Sequence, residues 1–198
     1  MSSQVALIFG YGPRVGVDVA QAFQERGYRV AVVSSSNKQE ETASKYLHLE
    51  EDLSNPKTVE EIFARVVKEL SHPSVVIYNG KSPMPMEKKK KKKNDRSYIS
   101  CYKASAITMN PASNIDQQIA AFQSDNNINI VSAYIASRLA IESFASLPPG
   151  SSPGTFIYTG NKLPFMVVQP LLSQGVGKAG AAHLIHYLAE EYKDSSYK

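Results

Sequence analysis

Three glycines in the stretch GYGPRVG, Gly10, Gly12 and Gly16, stand between a short apolar run and a helical pattern, a place where a chain can cradle a phosphate. Glycine lets the backbone approach an anion closely, and the start of a helix offers N–H groups at the positive end of its dipole. The spacing is GxGxxxG, looser than the strict dinucleotide fingerprint. The next apolar run ends in Ser34, Ser35 and Ser36, with Lys38 just beyond. Dinucleotide-binding α/β proteins carry an acid there that grips the adenosine ribose and repels a 2′-phosphate. Serines in that place, with Lys38 beyond them and Arg14 inside the glycine turn, offer a 2′-phosphate donors and positive charge instead. The expectation is a site that prefers NADP(H) over NAD(H).

The elements that must position these groups follow from periodicity. Val5 to Phe9 reads as a buried strand, and Val15, Val19 and Phe23 at i, i+4, i+8 predict a helix that Gly27 closes. Residues 28–33 (YRVAVV) read as a second strand and 46–53 (YLHLEEDL) as a third. Asn55 with Pro56 predicts the start of a helix whose apolar face carries Val59, Ile62, Phe63, Val66, Val67 and Leu70. Residues 74–80 and 154–160 read as further strands, 128–147 and 176–192 as long helices. This alternation predicts an α/β fold, a doubly wound parallel sheet of Rossmann-like type with helices on both faces. Its ligand site falls at the carboxyl ends of the strands.

The bounds agree with a single domain over 1–198: 198 residues with 42% hydrophobic content suffice for one core. The net charge of +4 is misleading, because residues 81–103 hold nine Lys/Arg against two acids, a local +7 that leaves −3 elsewhere. That segment, with six consecutive lysines and the lone Cys101, reads as a disordered insert, of the kind an A-rich non-coding tract gives when translated. Aromatic residues suited to base stacking do not interleave the run, so no nucleic-acid partner is expected. A single cysteine excludes an intramolecular disulfide. The apolar run after Met1 is short for a signal peptide and no long apolar span occurs, so a cytoplasmic protein with no membrane partner is expected.

Taken together, these motifs resemble the short-chain dehydrogenase/reductase family along nearly the whole chain outside the insert. ALIFGYGPRVG is similar to the family's first strand and glycine turn, with Phe9 where Thr is usual and Arg14 where the middle glycine is usual. EEDLSNP resembles the adenine-contacting Asp motif, carried by Asp52 and Leu53. IYNG resembles the Asn-Asn-Ala-Gly motif through Asn79 and Gly80, and NINIVSAY the helix segment whose Asn, here Asn129, supports a proton-relay water. Excising 81–103 joins VVIYNG to ASAITMNPAS as the family pattern would have it.

At the catalytic end the resemblance keeps a spacing and loses groups. Lys178 fits the family's Lys, which also bonds the nicotinamide ribose; counting back gives Gln174 in place of the Tyr and Asn161 in place of the Ser. The Tyr is the family's general acid, and an amide has no proton to give near neutral pH. The resemblance therefore implies an NADP(H)-binding oxidoreductase on an unidentified carbonyl or alcohol, with a catalytically silent binding or regulatory protein as the rival. Tyr158 and Tyr11 are expected to be packing residues, and His183 and His186 ordinary helix histidines with no metal site. Family members continue beyond the point matching Lys198 with two more strands, so the last strands are expected to be missing and one sheet edge exposed. The resemblance also implies a homo-oligomer, since family interfaces commonly use the two long helices, though apolar faces there serve a core equally well.

Overall fold

The computed structural model describes residues 4–13, 15–36, 45–80 and 114–198. Arg14, Lys38, the insert 81–103 and Cys101 lie outside the described residues. The elements in chain order are β1 (Val5–Phe9), α1 (Val15–Glu25), β2 (Arg29–Ser34), β3 (Leu47–Glu50), α2 (Thr58–Glu69), β4 (Val75–Tyr78), α3 (Ile115–Asn126), a π-turn (Asn127–Val131), α4 (Ser132–Ala145), β5 (Thr155–Tyr158) and α5 (Leu172–Glu191). Two single 3-10 turns, Leu163–Phe165 and Gln169–Leu171, bridge β5 to α5.

All pairings are parallel, in the order β3-β2-β1-β4-β5. Period-two alternation sorts the side chains of the central strands. Val5, Leu7 and Phe9 face a core shared with Val59, Ile62 and Val66 of α2 and with Ala133, Ala136 and Ala140 of α4. Ala6, Ile8, Val30 and Val32 face the other way, against Ala20 and Phe23 of α1. Helices on both faces of a parallel sheet make this the doubly wound α/β fold that the alternating pattern predicts. The order reverses between β1 and β4, the switch point where such sheets bind ligands.

Local chemistry sets the element ends. Gly27, at φ +83, closes α1 with Gly27 N donating to Gln24 O and Tyr28 N to Phe23 O, a Schellman pair. Asn55 and Pro56 form a turn before α2 rather than its first residues. The helix starts at Thr58, whose hydroxyl donates to the Asn55 carbonyl at 2.9 Å. The segment expected as one helix from 128 is longer and broken: α3 begins at Ile115, capped by Asn114, whose side chain accepts from Gln117 N at 3.1 Å. The last helix likewise starts earlier, at Leu172. At the β5 edge, Lys198 takes up two backbone groups, donating to Gly154 O and accepting from Phe156 N, while Ile157 remains 44% exposed. Among the described residues no helix is long and apolar enough to cross a membrane.

Candidate functional site

The glycine turn is built by close backbone approach. Gly10 has φ +83, and a Cβ there would lie 2.2 Å from the Asn79 carbonyl oxygen. A Cβ on Gly16 would lie 2.6 Å from the Gly10 carbonyl oxygen, whereas one on Gly12 would meet nothing within 4 Å. The first two glycines let the turn fold onto β4 and onto itself; Gly12 keeps open the space that a ligand would need. Gly10 N and Tyr11 N both donate to Val33 O, at 3.0 and 2.8 Å, so the turn is pinned to the end of β2. A cavity of about 550 Å³ results, lined by this turn, by Ser34, Ser35 and Ser36, and by Asn79.

Asn79 joins the turn to the rest of the site. Its N–H donates to Phe9 O at 2.9 Å and its side-chain amide to Gly10 O at 3.0 Å. It also lines a second cavity, of about 150 Å³, with Gly80, Asn129, Thr159, Gly160, Asn161, Gln174 and Lys178. The two spaces therefore meet at Asn79, at the switch point of the sheet.

Lys178 projects from α5 toward β5. Its Nζ donates to the Tyr158 hydroxyl at 2.9 Å and to Thr159 O at 3.2 Å, and lies 4.5 Å from the centroid of the Tyr158 ring. The Tyr158 hydroxyl in turn donates to Asn129 O at 3.4 Å, and its ring stacks on Tyr78 with centroids 5.8 Å apart. Burial pushes the Tyr158 phenol well above its ordinary range. Tyr78 is pushed up as well, by burial first and then by Tyr158, with the neighbouring Ser132 hydroxyl offsetting part of the rise. Both phenols stay protonated through the neutral range, so the ammonium of Lys178 rests on a neutral ring.

Asn129 sits in the π-turn, where its side-chain amide donates to Asp125 O at 2.8 Å. One-turn π segments commonly mark functional positions in helices. Here it is fixed by α5: a Cβ on Gly177 would lie 2.7 Å from Asn129 Cβ, and Ser173 donates to the buried Asp125 carboxylate. The glycine in the SQGVGK stretch thus lets α5 press against the π-turn one residue before Lys178.

Most of the residues expected from sequence come together. Gly10, Gly12, Gly16, Ser34 and Ser35 line the larger cavity; Gly80, Asn129, Asn161, Gln174 and Lys178 line the smaller; Asn79 lines both. Asn161 accepts Leu163 N at 2.9 Å, which fixes its amide oxygen and the turn that follows β5. Asp52 and Leu53 are not among the residues lining either cavity. The Asp52 carboxylate accepts from Ser54 N and Oγ, and Leu53 is packed in the core, its carbonyl accepting from Ser132. Tyr11 packs edge-to-face on Tyr46, as expected of a packing residue. Tyr158 does more than pack, because it holds Lys178. Periodicity hid this, since a strand residue beside apolar neighbours reads as core; the signal was its place at the carboxyl end of β5.

A glycine cradle at the switch point of a parallel sheet, with a polar cavity beside it, defines a Rossmann-type nucleotide-binding fold. No family model matches the chain. It is 35% identical over 199 residues to the short chain dehydrogenase/reductase dmxR12 of Cryptosporiopsis sp. (strain 8999), covering 100% of this chain and 75% of that protein. The chain belongs to the short-chain dehydrogenase/reductase family of oxidoreductases. Its fold is similar to that of the aldohexose dehydrogenase of Thermoplasma acidophilum, with TM-score 0.70 and 17% identity, covering 96% of this chain and 62% of that one. It is also similar to a 3-oxoacyl-(acyl-carrier protein) reductase of Brucella melitensis solved in complex with NAD, with TM-score 0.75 and 15% identity, covering 98% and 70%.

Proposed function

We propose that this chain binds NADP(H) and works as an oxidoreductase on a carbonyl or alcohol, with Asn161 and Gln174 standing where the family's Ser and Tyr stand. The observation that carries the reading is the junction at Asn79 of a backbone cradle and a cavity containing Lys178. The open space at Gly12, beside a turn that would tolerate no Cβ at Gly10 or Gly16, fits a pyrophosphate. Gly10, Gly12 and Gly16 would hold that group, Ser35 and Ser36 the 2′-phosphate, and Lys178 the nicotinamide ribose. The end of β2 presents hydroxyls and no carboxylate over Ser34–Ser36, which favours the phosphorylated dinucleotide.

Reduced nicotinamide supplies a hydride to a carbonyl carbon when it is bound. The chain's own residues must then orient the oxygen and supply a proton. An amide N–H of Asn161 can donate a hydrogen bond to that oxygen, and Gln174 can do the same but cannot give up its proton. Among the described residues lining the small cavity, Lys178 alone carries a cationic proton donor. Tyr158 keeps the ammonium at the cavity wall without competing for its proton, because the phenol is itself protonated.

Titrating the purified chain with NADPH and NADH, read by nicotinamide fluorescence, tests the cofactor reading. NADPH is expected to bind about tenfold tighter or more, the worth of one or two charge-assisted contacts. Equal binding would remove the preference, and no binding of either would remove the function. Consumption of NADPH with a panel of aldehydes, ketones and quinones then tests the reaction.

A further inference from the structure

We infer that His48 is a positioning residue for 2′-phosphate recognition, acting through Ser34 on the Ser34–Ser36 turn. The inference rests on the NADP(H) reading and names the device that shapes that subsite.

His48 lies on the edge strand β3, opposite Val32 of β2, and is 8% exposed. A buried imidazole there needs a partner, and Nε2 lies 2.8 Å from Ser34 Oγ. The same hydroxyl donates to the Ser36 carbonyl oxygen at 2.8 Å. A hydroxyl has one hydrogen, and here it goes to Ser36. Ser34 Oγ can therefore only accept from His48, which fixes Nε2 as the protonated nitrogen. The result is a directed relay from imidazole to hydroxyl to carbonyl, anchored in the sheet and ending in the cavity wall.

The relay matters for what the turn shows to a ligand. A carbonyl oxygen bare to a phosphate repels it; engaged with Ser34, the Ser36 oxygen is held as an acceptor already in use. Ser34 spends its hydroxyl on this task and has no hydrogen left for a ligand. Ser35 and Ser36, both exposed on the cavity wall, are the ones left to donate. A ribose carrying a 2′-hydroxyl could use either arrangement, since it can donate as well as accept, whereas a 2′-phosphate needs donors. The relay therefore selects between dinucleotides rather than strengthening both.

The test is the affinity of the full chain for NADPH and for NADH, measured on His48→Leu, His48→Gln, Ser34→Ala and the His48→Leu/Ser34→Ala pair, with thermal unfolding of each as the check on folding. His48→Leu is expected to lower NADPH affinity about tenfold while leaving NADH within about twofold, since the turn loses the hold that aims the Ser35 and Ser36 donors at the one ligand that needs them. His48→Gln, which keeps an amide donor near the Nε2 position, is expected to retain most of the selectivity. Ser34→Ala should match His48→Leu, and the pair should fall no further, because both break one relay. If NADPH and NADH weaken equally, or the ratio does not move in Ser34→Ala, His48 is a structural residue and the inference is overturned. A wild-type chain without NADPH preference overturns the cofactor reading first, and is seen before any variant is made.

Discussion

The two cavities that meet at Asn79 are made of different material. The larger is mostly backbone: a glycine turn held by Val33 and Asn79, and a serine turn held by the relay from His48. The smaller is mostly side chains drawn from distant places, with Asn129 from a π-turn, Asn161 from a loop and Lys178 from α5. A backbone cradle needs only that glycines stay where a Cβ cannot fit. Acid catalysis needs one functional group at one place, and a single change from phenol to amide removes it. In the proposed reading, with Gln174 at the phenol's place, the family pattern is read easily in the first half of this site and breaks in the second.

The contrast can be broken from the cradle side. Gly10→Val places a β-branched residue at φ +83 with its Cβ against the Asn79 carbonyl, and is expected to destabilise the fold by more than about 3 kcal/mol in denaturant titration. An unchanged midpoint would mean that the turn can open. The catalytic side can be sharpened by installing the groups that the proposed reading finds replaced. Asn161→Ser with Gln174→Tyr is expected to raise carbonyl reduction with NADPH about 100-fold, the usual contribution of a positioned acid, and no gain would show that the pocket is wrong in shape as well as in chemistry.

Smaller effects separate the parts of the second cavity. Gly177→Ala forces a Cβ to 2.7 Å from Asn129 Cβ and is expected to cost about 1–3 kcal/mol, seen as a lower unfolding midpoint with the glycine turn intact. The buried phenols give a pH signature. With folded pKa values raised above the ordinary 10.0 for Tyr78 and Tyr158, the native chain holds protons that the unfolded chain releases. Stability is therefore full below about pH 10 and falls as pH rises above it. Tyr158→Phe should flatten part of that fall while costing only about 1 kcal/mol at neutral pH for the lost Lys178 hydrogen bond.

The strands and the glycine turn were legible because their signals are local: β-branched runs, alternating faces, and a glycine where the chain must turn. The switch-point site was legible as a set of strand ends. Helix α3 was not, because its surface is polar on most sides and its periodicity is weak; its capping Asn114 with Asp116 in the first turn was the signal that remained. The roles of Tyr158 and His48 were hidden for another reason. Each acts through a partner remote in sequence, Lys178 twenty residues on and Ser34 fourteen residues back, and those partners are set by strand order and helix placement. Asp52, legible as a motif, is seen in the structure accepting from Ser54 N and Oγ.

Thermal unfolding of the purified chain with and without saturating NADPH, with NADH alongside, tests the central claim most directly. A ligand at about 100 times its dissociation constant adds roughly 2.7 kcal/mol, which for a domain of this size raises the midpoint by several degrees. The account predicts one cooperative transition that moves further with NADPH than with NADH. A transition that neither dinucleotide moves would contradict it, because the cradle at Gly10, Gly12 and Gly16 would then be a turn without a ligand.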